Sequence, residues 1–348
     1  MKAVINKIGV PRLIITILFI AVLITANVQG LPMNMLFTDI IKRFGMYGIL
    51  VLAMVPSIQS GVGPNFALPI GILCGLMGAV ISVELGLVGF IALFAAMIFA
   101  LPLALLIGYF YGKLLNVVKG SEMTIATYTG FSMVQLMCIA WIMIPFSSTK
   151  MVWPIGKGLR NTFTLEKTFG HVLNNLWGFK IGGINGVHIP TGLILFFLLV
   201  CFLVFLFTKS KTGTVILAAG MNPKFAEASG VNIDKGRIIA NMLSTVLGAI
   251  GIIVYSSSYG FVQLYGAPLY MAFPAVAAIL IGGATAKRAK ISHVIIGVLL
   301  FQGLLTSSMP VANELFPTGN ISEMVRMVVQ NGIILYALTK VKGGKYVG

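Results

Sequence analysis

Charge is what this sequence has least of. Only 9% of its 348 residues are Asp, Glu, Lys or Arg, and just eight are acidic. A water-soluble domain covers itself with charged side chains of both signs, so the composition excludes an ordinary soluble fold. Cysteine is nearly as scarce. Cys74, Cys138 and Cys201 each sit inside an apolar run with no CxxC spacing, which excludes a disulfide scaffold and a thiolate metal site. The three histidines, His171, His188 and His293, share no metal-ligand spacing, and no nucleophile stands in a pattern with a base. A G-x-x-x-x-G-K-[ST] motif is absent, which excludes ATP binding through a P-loop.

What is there is apolar. Hydrophobic residues make up 58% of the chain, and the mean hydropathy is +1.01. Runs near twenty apolar residues recur along its length, the mark of membrane helices; a membrane β-barrel needs alternation instead. The expectation is an all-α polytopic membrane protein, a single transmembrane domain over residues 1–348 with about ten spans. These begin near Leu13, Phe44, Phe66, Leu85, Met123, Ile189, Ile238, Tyr270, Ile291 and Ile321. Lys42 and Arg43 are read as the end of a short amphipathic piece before the second span. Two longer polar stretches interrupt the pattern, residues 147–187 and 208–237. The first span has no small-residue cleavage site after it and is expected to be retained.

The net charge of +16 is explained by where the cations fall. Sixteen of the 24 basic residues lie on one side of a ten-span arrangement, from Lys2, Lys7 and Arg12 to Lys340, Lys342 and Lys345. Cytoplasmic loops carry such an excess. The expectation is that both ends of the chain and residues 208–237 are cytoplasmic, with 147–187 on the outside. Orientation signals account for the basic balance, so no nucleic-acid partner is expected. The long outer stretch carries Trp153, Trp177 and five basic residues, a composition that suits docking of a partner protein or contact with the membrane surface.

The 208–237 stretch contains a short helix with legible ends. Asn222 is a good N-cap, Pro223 suits the first helical position, and Gly230 stands where a left-handed residue ends a helix. Two turns of helix are not stable alone, so this one is expected to dock on a partner. The run Ala219-Gly220-Met221-Asn222-Pro223-Lys224-Phe225-Ala226-Glu227-Ala228-Ser229-Gly230-Val231-Asn232 is followed by Ala277-Ala278-Ile279-Leu280-Ile281-Gly282-Gly283-Ala284-Thr285. Together they resemble the permease subunits of bacterial ABC importers for ribose and related sugars. That superfamily also takes in nucleoside, autoinducer and branched-chain amino-acid permeases.

The resemblance implies a type II-like ABC importer permease in the bacterial inner membrane. It implies that the loop helix couples to an ATPase subunit, through Asn222, Pro223, Glu227, Ser229 and Gly230. The partners it implies are two ATPase subunits carrying ATP-Mg, a second identical or similar permease, and an extracytoplasmic solute-binding protein. No cofactor is expected on this chain. One departure stands out: the acidic residue of the Gly-Gly-Ile-Asp-Leu-Ser-like stretch common in sugar permeases is missing, and Pro56–Phe66 carries a Gly-Pro break instead.

Broken backbone at membrane depth is tolerated where it is buried or lines a cavity. Ser57, Gln59, Asn65 and Phe66 at this break, with Asn241 and Tyr255, are therefore candidates for the translocation pathway. Knitting helices together is the other duty such polar residues perform. Spans without a central acid favour a neutral solute, a monosaccharide or nucleoside, with a branched-chain amino acid as the alternative. They also count against an ion-coupled secondary carrier, the rival in kind. Pro69 with Gly78-Ala79 and Pro274 with Gly283-Ala284 share a spacing that suggests an inverted repeat.

Overall fold

The computed structural model describes residues 10–153, 158–182, 186–315 and 319–339. Lys2, Lys7, Lys340, Lys342 and Lys345, which the orientation argument used, lie outside them. The N-terminal part runs α1 (Val10–Val28), α2 (Met33–Leu52), α3 (Met54–Gln59), α4 (Leu68–Glu84), α5 (Gly89–Val117) and α6 (Glu122–Met143). Next come β1 (Thr162–Thr164), α7 (Val172–Asn175), β2 (Phe179–Ile181), β3 (Val187–Ile189) and α8 (Thr191–Lys209). The chain continues with α9 (Lys211–Met221), α10 (Pro223–Ala228), α11 (Ile233–Tyr259), β4 (Phe261–Gln263), α12 (Leu269–Ile281), α13 (Ile291–Leu315) and α14 (Gly319–Thr339).

Helix falls at each of the ten expected spans. Among the described residues, six are long and apolar enough to cross a membrane: Met33–Gln59 (α2 with α3), α5, α6, α8, α11 and α13. Proline marks several starts. Pro32, Pro190 and Pro268 stand just before α2, α8 and α12, and Pro69 and Pro223 lie in the first turns of α4 and α10. The missing N–H is harmless there, because a first turn has no intrahelical use for it.

Three expectations change. The second span does not begin at Phe44: α2 starts at Met33, so Lys42, Arg43 and also Asp39 lie within it. The chain is not purely helical, since β1 pairs with β4 and β2 with β3 as two antiparallel strand pairs. Backbone groups outside helices need partners, and Thr-Phe-Thr, Phe-Val-Gln, Phe-Lys-Ile and Val-His-Ile are good strand material. The spacing read as an inverted repeat does not fall on equivalent places. Pro69 opens α4 while Pro274 is inside α12, and Gly78 is mid-helix while Gly283 follows the end of α12 with φ 98°.

Helix α11 is the centre, packed by α2, α4 and α5, while α13 joins α1, α2 and α12 beside it. Small residues let these backbones close up. A β-carbon on Gly71 of α4 would lie 2.5 Å from the carbonyl oxygen of Thr245 on α11, and Gly75 one turn on meets Ala249. Membrane helices associate through such close approach, because lipid gives no hydrophobic drive between them. Arg12 of α1 donates to the carbonyl of Gly282, tying the first helix to the end of α12.

Candidate functional site

Three features lie along α11. At its start is the loop of residues 208–237. Three helices in succession begin with a side-chain cap: Ser210 Oγ accepts from Gly213 N at 3.2 Å, Asn222 Oδ1 from Phe225 N at 3.2 Å, and Asn232 Oδ1 from Lys235 N at 2.9 Å. Helix α10 ends as expected at Gly230, whose φ is 76°. Gly230 N donates to Glu227 O at 2.9 Å and Val231 N to Ala226 O at 3.0 Å, the two bonds that close a helix with a left-handed residue. Ser229 Oγ donates back to Phe225 O. Only Ala226 of this helix is buried; Phe225 is 66% exposed, and Glu227 is exposed beside it. Helix α9, which precedes it, was not expected from the sequence. Its capping serine was the available signal.

The second feature is the break between α3 and α4. It sits directly on that loop: a β-carbon on Gly220, near the end of α9, would lie 2.8 Å from Gly61 N and 2.9 Å from the carbonyl carbon of Ser60. The break is held by a buried polar knot. Ser57 Oγ donates to Gly63 O at 2.9 Å and lies 3.3 Å from Asn241 Oδ1, while Asn241 Nδ2 donates to Arg237 O at 2.8 Å. Asn65 Nδ2 donates to Ser244 Oγ at 2.8 Å, and Asn65 Oδ1 accepts from Ala67 N and from the Tyr111 hydroxyl, both at 3.0 Å. Ser57, Asn65, Asn241 and Ser244 are all buried.

Beside the knot, α5 and α6 are pinned to the start of α11. Arg237 pairs with Glu122 at 2.5 Å, the two side chains only 9% and 15% exposed, while Lys119 and Asp234 pair at 2.6 Å in the open. A cleft of about 620 Å³ separates these groups from Glu227 and Gly61.

The third feature is a cavity of about 770 Å³ toward the other end of α11. Asp39, Arg43 and Tyr47 line it from α2, Tyr255 from α11, Gln302 from α13 and Gln330 from α14. Thr162 and Gln263, paired across β1 and β4, are also at its wall. Its aromatic side is a chain of rings: Tyr47 meets Tyr255 edge-on at 5.2 Å, Tyr255 stacks on Tyr259 at 5.5 Å, and Tyr259 meets Phe261 at 4.2 Å.

Of the six candidate pathway residues, only Tyr255 reaches this cavity. Ser57, Asn65 and Asn241 are in the knot, Gln59 donates to Ala289 O at 3.0 Å, and Phe66 packs on Phe273 at 5.8 Å. The buried polar groups of the knot satisfy one another. Asp39, Arg43 and Tyr47 were missed, although their spacing of four places them on one helix face. Ending the amphipathic piece at Lys42 and Arg43 divided that face.

The sequence model of the family described as "Branched-chain amino acid transport system / permease component" matches residues 36–338. The chain belongs to that family. Among curated relatives, this permease is 24% identical over 248 residues to the nucleoside ABC transporter permease protein NupB of Lactococcus lactis subsp. cremoris. That match covers 69% of this chain and spans only 64% of the relative's length. It is 23% identical to the galactofuranose transporter permease protein YtfT of Escherichia coli, over 77% of this chain and 70% of the relative. It is 26% identical to the ribose import permease protein RbsC of Bacillus subtilis, over 90% of this chain and 97% of the relative.

Proposed function

We propose that this permease is the membrane-spanning subunit of an ATP-driven importer of small neutral solutes in the inner membrane of a bacterium. Its ten helical segments cross the bilayer, with both chain ends and α9–α10 in the cytoplasm and the β-strand pairs outside. A binding protein delivers the solute to the cavity. Two ATPase subunits, which carry the ATP-Mg, engage α10 of this chain and of a second, identical or similar permease. No cofactor is held by this chain.

The observation that carries the reading is the contact of Gly220 with Ser60 and Gly61. It joins the loop that would meet an ATPase to the break that closes the bundle between cavity and cytoplasm. With no side chain at either glycine to deform, displacement of α9 passes straight to the backbone at 60–65. The knot on Asn65 and Asn241 would open or close in response, gating the inner end of the cavity.

A monosaccharide or nucleoside is the solute class that the relatives' names and the cavity's amides and tyrosines support. A second reading rests on one observation: Asp39 and Arg43 both line the cavity, opposite charges that suit the ammonium and carboxylate of a branched-chain amino acid.

The test is uptake of labelled ribose, uridine and leucine into vesicles holding this chain with its co-purified ATPase, with ATP inside and the cognate binding protein added outside. ATP-dependent ribose or uridine uptake supports the first reading, and uptake of leucine alone the second. Uptake by the isolated chain under an ion gradient, without ATP, sinks both and makes it a secondary carrier.

A further inference from the structure

The strand pair β2–β3 has one apolar face. Phe179 stands opposite Ile189 and Ile181 opposite Val187, so these four side chains share a face, while Lys180 and His188 pair on the other. Val187 and Ile189 are half-buried, but nothing among the described residues covers the β2 half of that side: Phe179 is 49% exposed and Ile181 56% exposed. Trp177, just ahead of the strand, is 72% exposed. An aromatic and β-branched surface of this kind, left in water on a two-stranded ribbon, is unfavourable and marks an interaction surface.

Its position says what covers it. β3 ends at Ile189, and α8 begins at Thr191. With 19 residues, α8 is about 28 Å long, close to the hydrocarbon thickness of a bilayer of about 30 Å, so its first turn lies at the interface. β3 is also bonded to the side of α2, not above it. His188 N donates to Thr38 Oγ1 at 2.9 Å, and Thr38 is about 7 Å along the axis from the start of α2 at Met33. The strand pair therefore lies beside the ends of two membrane helices, at their depth. Below it the exposed surface of α8 is apolar without a break, through Leu195, Leu198, Leu199 and Phe202. Lys180, on the opposite face, has the charge that suits lipid phosphate. Trp with Lys beside an apolar helix end is the composition of a membrane interface.

We infer that β2–β3, with Trp177, lies in the interfacial layer of the bilayer, its Phe179–Ile181 face in the lipid, and so serves as a membrane anchor for the 147–187 segment. The occupant of that face is lipid, continuous with the lipid that surrounds α8. The remainder of the segment is held differently. Asn174 on α7 exchanges hydrogen bonds with Ser258 at the end of α11, and Phe169 O accepts from Ser257. One end of the loop thus follows α11 and the other stays with the membrane surface.

The test uses the full chain in vesicles of phosphatidylcholine with phosphatidylglycerol, in which the phosphatidylcholine is brominated at carbons six and seven. The fluorescence lost on Trp177→Phe isolates Trp177 without disturbing the buried Trp141. Adding Phe179→Trp to that background puts a second reporter on the face itself. The expected result is about two-fold or greater quenching of both reporters by brominated lipid, with little quenching by aqueous iodide. Quenching by iodide and not by bromolipid would place the face in water and overturn the inference. Shielding from both quenchers would mean that a protein surface, a binding protein or a second copy, covers it, and would overturn the inference equally.

Discussion

Gly220 and Gly61 meet backbone to backbone: a β-carbon on Gly61 would lie 3.0 Å from the Cα of Gly220. Two elements far apart in sequence, the end of α9 and the turn after α3, are joined with no side chain between them. Even one methyl group must push them apart, and overpacking of this kind costs about 1–3 kcal/mol. If the chain couples to an ATPase as proposed, Gly220→Val is expected to leave it in the membrane and bound to that ATPase, and to cut solute uptake per ATP hydrolysed at least several-fold. Normal uptake by Gly220→Val would remove the contact from the coupling route.

The Arg237–Glu122 pair gives a sharper stability test. Removing one partner of a buried pair strands the other charge and costs about 3–5 kcal/mol, whereas replacing both by apolar groups of similar volume is often neutral. Arg237→Met alone is expected to lower the thermal unfolding temperature in detergent, and Glu122→Leu with Arg237→Met to recover most of the loss. Lys119→Met, which breaks the open pair with Asp234, should move stability by less than about 1 kcal/mol. Equal effects of Arg237→Met and Lys119→Met would show that the inner pair is hydrated.

What the sequence made legible, and what it hid, follows from range. Asn222, Pro223 and Gly230 act on their own helix, so the ends of α10 could be read from neighbours alone. Whether Asn65 lines a lumen or bonds Tyr111, 46 residues away, is decided by tertiary packing that leaves no local trace. The same holds for Asn241 and Ser57. Asp39 and Arg43 were hidden for another reason. Lys42 and Arg43 read as the end of an amphipathic piece, whereas one helix runs through them from Met33 to Leu52 and puts Asp39 and Arg43 on the cavity wall. The ribbon of β2 and β3 is too short to show a period in so apolar a chain.

The division between knot and cavity predicts two kinds of variant. Asn65→Ala leaves the Tyr111 hydroxyl without a buried partner, a loss of about 1–3 kcal/mol, while Ser244 keeps its bond to Ala53 O. It should lower stability and transport of every solute alike. Tyr255→Phe, which keeps the buried ring, and Arg43→Ala act at the cavity wall and should instead change the relative uptake of ribose, uridine and leucine, with a smaller change in unfolding temperature. Side-by-side competition assays and thermal scans read both. A selectivity change in Asn65→Ala with none in the two wall variants would move the pathway back to the break.

The last prediction concerns the exposed face of α10. Phe225 is a large apolar side chain on a polar loop, with Glu227 beside it and the backbone turned sharply by Gly230 at φ 76°. Proline is confined to φ near −65°, so Gly230→Pro must undo the bonds from Gly230 and Val231 that end the helix. Glu227→Lys reverses the one acidic charge of α10. If this helix seats in an ATPase groove, the double variant Glu227→Lys with Gly230→Pro should lose the ATPase on affinity purification from solubilised membranes. Phe225→Asp should weaken retention while leaving α10 capped by Asn222. Because Ala226 is the only residue of α10 that packs inward, these changes should leave the unfolding temperature of the bundle nearly unmoved, which separates lost docking from lost folding. Full retention of the ATPase by both variants would mean that the α10 surface is not where the motor subunit binds.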